Sequence, residues 1–389
     1  MWARARGVAR SEDEPTRSRA ADCVLVALTE AAVSRRDPAH ARIADTLAAD
    51  GRAGLVAARA YLVHARNSDD AYGVAAHPGA AVVPAALAEA EASGASGETL
   101  LTATVAGYEV ACTLADVFLP RAAERGWRIT SVVAPMAAAA TLASVRELAD
   151  GDAVSALRIA AGTIGGALET VSGRGDDWRA QPALAAVEGV LAARAAAAGL
   201  AGTTGILEGP QGPFELVCGG PWPGWPEPSR PRIHGATFKR HQGAMYAQAI
   251  FDALERLPEL AGSVDVELRV PLFAIGYSER SASNDRAPAS LAGVTAAALA
   301  ETHPSARIGS FCARGDDAVG RLGAAVTAGL ADGRSFTANG DGDTSWWSAT
   351  DVDEVCRARL GGDALVTAVR GLDNGGTVAA VLDAWRASV

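Results

Sequence analysis

Helical periodicity over nearly half of the chain is the feature that most restricts its fold. From residue 20 to about residue 205, apolar residues recur at helical spacing, β-branched runs are few, and breaks fall at Gly, Pro or Asp. Ser96 and Asp150 stand at two predicted helix starts, where N-cap residues are favoured. The pattern predicts a helical bundle with candidate helices at 20–34, 38–49, 52–66, 80–94, 97–118, 132–148, 151–171 and 182–201.

Alanine-rich runs near residues 133–144 and 183–201 belong to this bundle. Alanine is the best helix former and lets neighbouring helices approach closely. No window offers the roughly 18 apolar residues, free of Gly, Pro and charge, that a membrane span requires. The glycines of GTIGGA at 162–167 lie inside a predicted helix, so a phosphate-binding loop is not expected there.

A proline- and glycine-rich segment at 207–237 ends the helical part of the chain. Proline removes a backbone donor and fixes φ, so this segment predicts an irregular connector and a domain boundary. A chain of 389 residues also exceeds the roughly 250 to 300 residues of a single core. We therefore predict a mostly α fold with a large helical domain at 1–237 and a smaller α+β domain at 238–373. A C-terminal helix at 374–389 is expected to pack back on the first domain.

The second domain shows mixed patterns. Alternating apolar and polar residues in VDVELRVPLFAIG, RIGSFCA and RSFTANG predict strands. Helical spacing predicts helices at 243–257, 288–302 and 317–330. Mixed helices and short strands favour an α+β arrangement.

Charge and cysteine content exclude several classes of function. The formal net charge of −10 leaves no electrostatic footprint for a nucleic acid backbone. The N-terminal segment is charged and lacks the apolar run of a signal peptide. The cysteines are far apart and form no CxxC or local Cys/His cluster, so we expect reduced thiols in a cytoplasm, without a zinc site or disulfides. These cysteines are Cys23, Cys112, Cys218, Cys312 and Cys356.

The stretch NSDDAYGVAAHPGAAVVPAALAEAEA at 67–92 carries the clearest candidate chemistry. It places Asp69, Asp70 and His77 before a long alanine-rich helix, and histidine can act as acid or base near neutral pH. A structural role is the alternative, because a His-Pro pair can open a helix and aspartates at turns satisfy backbone donors.

This stretch resembles the MmgE/PrpD family, which includes 2-methylcitrate dehydratase, cis-aconitate decarboxylase and iminodisuccinate epimerase. The resemblance rests on NSDD, on the His-Pro-Gly turn and on the Gly-Tyr-Glu-Val of residues 107–110. It continues, in the order of the family, through GWRITSVVAPMAAAATLASVREL, ILEGPQGPF and FKRHQGAMYAQAIFDAL, and covers roughly residues 50–260.

The resemblance implies a large helical domain closed by an α+β lid, usually in a homodimer, with the active site between the two domains. It implies that no metal or organic cofactor is needed. The family chemistry moves a proton next to a carboxylate and then releases water or carbon dioxide, or returns the proton to the other face. Such chemistry needs an acid and a base whose pKa values are tuned by burial and neighbours.

Carried over residue by residue, the resemblance gives a set of catalytic candidates and a set of substrate-binding candidates. His77 matches the catalytic histidine, with Asp70 as its orienting carboxylate, and Arg128 and Lys239 are candidates to stabilise developing negative charge. The substrate-binding candidates are Asn67, Asp69, Tyr72, Trp127, Trp178, Arg179, Arg240, His241, Gln248 and Tyr277, of which Tyr277 has no counterpart in the family pattern.

The chain departs from the family pattern at several of these positions. Arg128 stands where the family usually has a histidine, so a proton shuttle is replaced by a fixed cation. Trp178 or Arg179 replaces a lysine of the family. Further replacements are Asn67 for an aspartate, Ala71 for a threonine, residues 240–242 for Pro-Tyr-Pro, and Gln248 for a histidine. His40 and His64 lie on helical patterns and are interpreted as structural.

Three hypotheses follow. The first is a cofactor-independent lyase or isomerase that acts on a bulkier, less charged biosynthetic substrate by dehydration, proton transfer or ring formation. The second is an enzyme for a small di- or tricarboxylate, in which the cations at 128, 179, 239 and 240 bind the anion. The third is a binding protein that keeps the fold without the chemistry.

Overall fold

The chain is described from a computed structural model. The described residues are 1–389 with the exception of Glu12, Val74, Arg174, Pro228, 281–289 and Ser345. The chain divides into two compact units. The first consists of Met1–Leu168, Asp177–Phe238 and Trp347–Val389, and the second of Glu169–Asp176 and Lys239–Trp346.

Helices dominate the described residues, and the strands are few. The helices are α1 (Trp2–Ala9), α2 (Glu14–Arg35), α3 (Pro38–Ala48), α4 (Gly51–His64), α5 (Gly79–Ser93), α6 (Gly97–Phe118), α7 (Arg121–Glu124), α8 (Ile129–Val145), α9 (Asp150–Ala161), α10 (Glu169–Ser172), α11 (Gln181–Ala197), α12 (Pro213–Cys218), α13 (Met245–Glu255), α14 (Leu272–Arg280), α15 (Leu291–Thr302), α16 (Ala349–Leu360), α17 (Ala364–Arg370) and α18 (Val378–Ala387). The strands are β1 (Ala71–Tyr72), β2 (Ala236–Thr237), β3 (Gly262–Val270), β4 (Ala306–Gly315), β5 (Gly323–Leu330) and β6 (Ser335–Asp341).

The core of the first unit is a layer of helices that are buried on nearly every side. α5, α6 and α8 are buried along most of their length, and α8 also packs against α11. α6 is long and apolar enough to cross a membrane, but 83% of its most apolar stretch is buried inside the protein. It is therefore a core helix, and the small residues of its neighbours allow the close approach that buries it.

Glycine is required where two of these helices touch. A Cβ on Gly189 of α11 would lie 2.0 Å from the carbonyl oxygen of Pro135 in α8. A Cβ on Gly107 of α6 would lie 2.2 Å from the hydroxyl of Thr141 in α8. No side chain fits at these distances, so the glycines set the spacing of the central layer.

The predicted helix at 151–171 is wrong in its second half. α9 ends at Ala161, and the GTIGGA segment is irregular, with Gly166 at a φ of 106°. A Cβ on Gly166 would lie 2.4 Å from the side chain of Ser131, and the Gly166 carbonyl accepts the backbone N–H of Arg128 at 2.9 Å. The glycines thus let this segment close onto the start of α8.

The second unit contains a four-stranded sheet in the order β4-β3-β5-β6. β3 and β4 are parallel, and the other two pairs are antiparallel. Alternate side chains of β3 are buried, and α13 and α15 pack against each other and against the sheet. A mostly α fold with a small mixed sheet is therefore confirmed.

Two predictions within this unit are wrong. The helix predicted at 317–330 does not form, because 323–330 is β5, whose pairing with β3 and β6 outweighs the helix propensity of its alanines. The strand predicted in VDVELRVPLFAIG ends at Val270, and α14 follows Pro271.

The C-terminal part of the first unit begins before the predicted helix at 374–389. α16 and α17 pack against α2, and Arg19 donates to the carbonyl of Trp347 at 3.2 Å. Arg370 lies 2.7 Å from the buried carboxylate of Asp22. Residues 347–373, which the sequence assigned to the second domain, are thus joined to the first by buried charges.

We expect Gly189→Ala to destabilise the first unit by about 1 to 3 kcal/mol, because the added methyl group overlaps the backbone of α8. Gly7→Ala in α1 is the matched control, since no atom lies within 4 Å of the position that its methyl group would take. There the gain in helix propensity should stabilise by up to about 1 kcal/mol. Urea unfolding of both variants measures the difference, and a Gly189→Ala protein as stable as Gly7→Ala would contradict the close packing.

Candidate functional site

The candidate site is built on the turn between α4 and α5. α4 ends at His64, and the backbone N–H of Asn67 returns to the His64 carbonyl at 3.0 Å. Asn67 has a φ of 53°, a conformation that asparagine tolerates better than most residues. β1 then pairs with β2, and backbone hydrogen bonds between Tyr72 and Ala76 close a short loop that leads to His77.

The Asp70 carboxylate holds the two ends of this turn together. One oxygen accepts the backbone N–H of Gly79 at 3.0 Å, and the other accepts the Tyr108 hydroxyl at 2.7 Å. A Cβ on Gly79 would lie 2.6 Å from the same carboxylate, which explains the glycine after His-Pro. Burial and the neighbouring Asp70 raise the pKa of Tyr108, so its hydroxyl keeps the proton that it donates.

His77 is oriented by the backbone of Asp70. Its Nδ1 lies 2.8 Å from the Asp70 carbonyl oxygen, which can only accept a hydrogen bond. In the neutral ring this contact places the proton on Nδ1 and the lone pair on Nε2. The carboxylate that faces the ring is that of Asp69, 3.5 Å from Nδ1.

Asp69 is fully buried between two histidines. Its second oxygen lies 2.8 Å from Nδ1 of His64, and the rings of His64 and His77 meet edge to face, with centroids 4.7 Å apart. Burial alone would raise the pKa of Asp69, but the facing His64 and His77 hold the pKa well below its usual range. Asp69 is therefore an anion.

Arg128 completes this group, which we call the histidine cluster: His64, Asp69, His77 and Arg128. The Arg128 side chain is buried and donates to Nε2 of His64 at 2.5 Å. It also donates to the Trp178 carbonyl and to Oε1 of Gln181, the latter at 3.0 Å. Arg128 thus points into the protein, where it contacts a histidine and two oxygen acceptors.

His64 is held neutral within the cluster. Burial lowers the pKa of His64 to about 3, and Arg128 and His77 act in the same direction against the attraction of Asp69. A neutral ring that accepts at Nε2 carries its proton on Nδ1 and donates it to Asp69. The cluster is therefore a chain of hydrogen bonds from Arg128 through His64 to Asp69, with His77 beside the carboxylate.

The Trp178 side chain lies next to the cluster, and the other aromatic candidates have partners elsewhere. The buried Trp178 ring meets His64 edge to face at 5.4 Å, and the guanidinium of Arg179 lies 4.3 Å above the same ring. Arg179 also donates to the Ala65 carbonyl at 3.1 Å. Trp127 is half-buried beside Ala167, and Tyr72 donates to Asp116 at 3.2 Å.

His64, Asp69 and His77 could offer three ligand atoms to a metal ion, all within 4.8 Å of one another. A metal at Nδ1 of His64 would require the ring proton on Nε2, where it would face the N–H of Arg128. The partners that metal-bound histidines use at their other nitrogen are hydrogen-bond acceptors, whereas Arg128 is a cation. The residues fit a hydrogen-bonded cluster better than a metal site.

The remaining candidates lie in the second unit. Gln248 accepts the backbone N–H groups of Arg240 and His241 at 3.0 and 2.9 Å, so it stabilises the start of this unit. His241 stacks on Phe251 and lies 2.9 Å from Glu301. Lys239 is buried. Tyr277 lies in α14, and its side chain is outside the described part of the structure.

Sequence reasoning missed three members of the site. The helical pattern favours a structural role for His64, and no motif singles out Tyr108 or Gln181 for chemistry. For His64, its position five residues before Asp69, at a helix end, is the signal that could have found it. Tyr108 and Gln181 contact the site through the tertiary fold alone.

Comparisons with known proteins agree with the resemblance. The family model of the MmgE/PrpD N-terminal domain matches residues 16–225, which is more than half of the chain. No curated protein matches the sequence.

We expect the free energy of unfolding to decrease as the pH falls from 6.5 towards 4.5. In this range the unfolded chain binds a proton at His64, whose ordinary pKa is 6.5, while the folded state does not. The contribution of His64 is at most about 1.4 kcal/mol per pH unit. Asp69 adds a loss of the same sign only below its ordinary pKa of 3.8.

His64→Gln should reduce this pH slope by about 1 kcal/mol per unit, although the variant is less stable at pH 7. Denaturant unfolding at several pH values measures the slope. His40→Gln, which removes a hydrogen bond to Tyr61, is the control for replacing a helical histidine. Equal slopes for the wild type and His64→Gln would contradict a neutral, buried His64.

Proposed function

Because the chain belongs to the MmgE/PrpD family, we propose that it is a lyase or isomerase that transfers a proton at a carbon next to a carbonyl or carboxyl group. The family includes lyases and isomerases, and this N-terminal domain carries the turn on which the histidine cluster is built. His77 is the proposed acid–base residue. The proposed chemistry uses no organic cofactor.

The orientation of His77 is the observation that carries this proposal. The Asp70 carbonyl places the Nδ1 proton, so the Nε2 lone pair is the basic site of the neutral ring. When Nε2 takes up a proton, the imidazolium forms beside the anionic Asp69. A nearby negative charge stabilises that cation.

The proposed step begins when Nε2 of His77 removes the proton and the electron pair of the C–H bond moves into the neighbouring carbonyl, which becomes an enolate. In an isomerisation the proton then returns to the opposite face. In an elimination the enolate electrons expel a hydroxyl group, which leaves as water after it has been protonated. An elimination can use His77 alone, because the imidazolium returns the proton to the leaving hydroxyl group, which suits histidine near neutral pH. An isomerisation that inverts the carbon also needs a proton donor on the opposite face.

The partners of the arginines favour a bulky substrate of low charge. Arg128 donates to protein acceptors, and Arg179 lies on Trp178 and donates to the Ala65 carbonyl. In the alternative of a small di- or tricarboxylate, these cations would have to exchange protein partners for the substrate. A biosynthetic substrate that contacts the Trp178 side of the cluster requires no such exchange.

We expect His77→Gln to lose at least about 100-fold in turnover, because positioned acid–base groups contribute roughly 10²- to 10⁴-fold. The assay incubates the protein in D₂O with a panel of hydroxy and unsaturated carboxylic acids and their methyl esters, and mass spectrometry follows product and deuterium uptake. His40→Gln is the matched control and should retain activity, because His40 contacts Tyr61 outside the cluster.

The acid and ester forms distinguish the substrate classes. A preference for esters or monoacids supports the bulky, weakly charged substrate, and a strict requirement for two or three carboxylates supports the alternative. Full activity of a folded His77→Gln protein would refute the assignment of the base. Tight binding of panel compounds without turnover, unchanged in His77→Gln, would favour the binding protein.

A further inference from the structure

Arg128 raises a question that the proposed acid–base role of His77 leaves open. It occupies the position at which the related enzymes usually have a histidine, yet its guanidinium is buried and donates to His64 and to a backbone carbonyl. Burying a permanent cation is costly unless it is paired or fully hydrogen-bonded. Its contacts should therefore show what the cation does.

We propose that Arg128 is a positioning residue that fixes the tautomer of His64, adds to the burial that keeps His64 neutral, and so leaves the negative charge of Asp69 available to the imidazolium form of His77. This inference rests on the proposed function, since it assigns a device that tunes the proposed base. It concerns the electrostatic state of the cluster and makes no assumption about the substrate.

The direction of the hydrogen bond from Arg128 fixes the tautomer of His64. An arginine only donates, so Nε2 of His64 must accept at the 2.5 Å contact. Nε2 then holds the lone pair, and the single proton of the neutral ring lies on Nδ1, 2.8 Å from Asp69. Protonating Nε2 would place two donors against each other, and this disfavours the cationic ring.

The Asp69 carboxylate faces both histidine rings, so its charge is shared according to their protonation. Two rings compete for this carboxylate, at 2.8 Å for His64 and 3.5 Å for His77. If His64 became cationic, it would neutralise Asp69 and would repel a cationic His77, whose ring centroid is 4.7 Å away. With His64 neutral, the carboxylate keeps a full charge beside His77.

Further hydrogen bonds hold the Arg128 side chain in place. Nη2 of Arg128 contacts His64, and Nη1 donates to the Trp178 carbonyl and to Oε1 of Gln181. The backbone N–H of Arg128 donates to the Gly166 carbonyl. Ser131 lies 3.4 Å from the same Gln181 oxygen. The guanidinium is therefore held in one plane against His64, as a planar, permanently charged donor can be and a lysine cannot.

Removing Arg128 should distinguish two explanations by the direction in which the pKa of His77 shifts. The loss of a nearby positive charge would by itself raise the pKa of His77. If Arg128 instead helps to keep His64 neutral, its removal makes it easier for His64 to become cationic. That cation would lie with its ring centroid 4.7 Å from the centroid of His77 and would lower the pKa of His77. The two explanations therefore shift the titration of His77 in opposite directions.

The experiment uses the full chain labelled with ¹⁵N-histidine, with the signals assigned by single His→Gln variants of the six histidines. In the wild type we expect His64 to stay neutral, with its proton on Nδ1, from pH 5 to 8. Burial still opposes the cationic ring in Arg128→Met, so we expect the titration of His64 to move to higher pH than in the wild type and the midpoint of His77 to fall. The pH profile of kcat/KM for a turned-over panel compound should shift in the same direction.

Arg179→Met is the matched control, because it removes an equally large cation beside Trp178 that lies over the indole and donates to the Ala65 carbonyl. His64 should remain neutral in this variant. If Arg128→Met does not fold, Arg128→Gln provides a second test, because an amide can also accept a hydrogen bond and so permits both tautomers of His64.

A wild-type His64 that titrates between pH 5 and 8 would overturn the inference. So would a folded Arg128 variant in which the titration of His64 does not move to higher pH or the midpoint of His77 rises. These readouts do not depend on turnover. Failure of His77 as the catalytic base would instead appear as retained activity of His77→Gln, so the two failures are distinguishable.

Discussion

Two adjacent carboxylates buried at the end of a helix are the constraint on which the site depends. A buried carboxylate is tolerated only with hydrogen bonds or opposite charges around it. The Asp70 carboxylate accepts hydrogen bonds from the first turn of α5 and from Tyr108 of α6. The Asp69 carboxylate lies against Nδ1 of His64 and Nδ1 of His77. Meeting both requirements fixes the path of the chain from α4 to α5.

The small residues of the helical layer make this burial possible. Gly79 lets a carboxylate lie against the start of α5, and Gly107 lets α6 pack directly on α8. α6 carries Tyr108 next to that glycine, and Arg128 stands at the start of α8. The close packing of helices therefore determines the distances within the histidine cluster, and a looser core would not hold Tyr108 against Asp70.

The sequence predicted the helices of the first unit well, because α4, α5, α6 and α8 are long runs that contain many alanines, the strongest helix former. It failed where non-local contacts decide. β5 is a strand because β3 and β6 pair with it, and the GTIGGA segment leaves the helix because Gly166 packs against the start of α8. Neither neighbour is visible in a local pattern of residues.

The same distinction applies to the site. Residues 67–79 could be found because they are close in sequence and resemble a known turn, whereas Tyr108 and Gln181 come from distant helices. The sequence also favoured Asp70 as the orienting carboxylate, but its carbonyl contacts His77 and the carboxylate of Asp69 faces the ring. Residue identity cannot distinguish a backbone contact from a side-chain contact.

Arg128 stands where the resemblance to the family leads us to expect a histidine, and this difference changes how the cluster can work. A histidine at this position could exchange protons, while an arginine is permanently charged and can only donate. Arg128 donates to His64, and His64 donates to the anionic Asp69. Arg128 can therefore affect His77 by setting the protonation of His64, in addition to its own charge. In the proposed function, proton transfer then falls to His77, and this suits an elimination in which the same residue removes a proton from carbon and returns it to the leaving hydroxyl group.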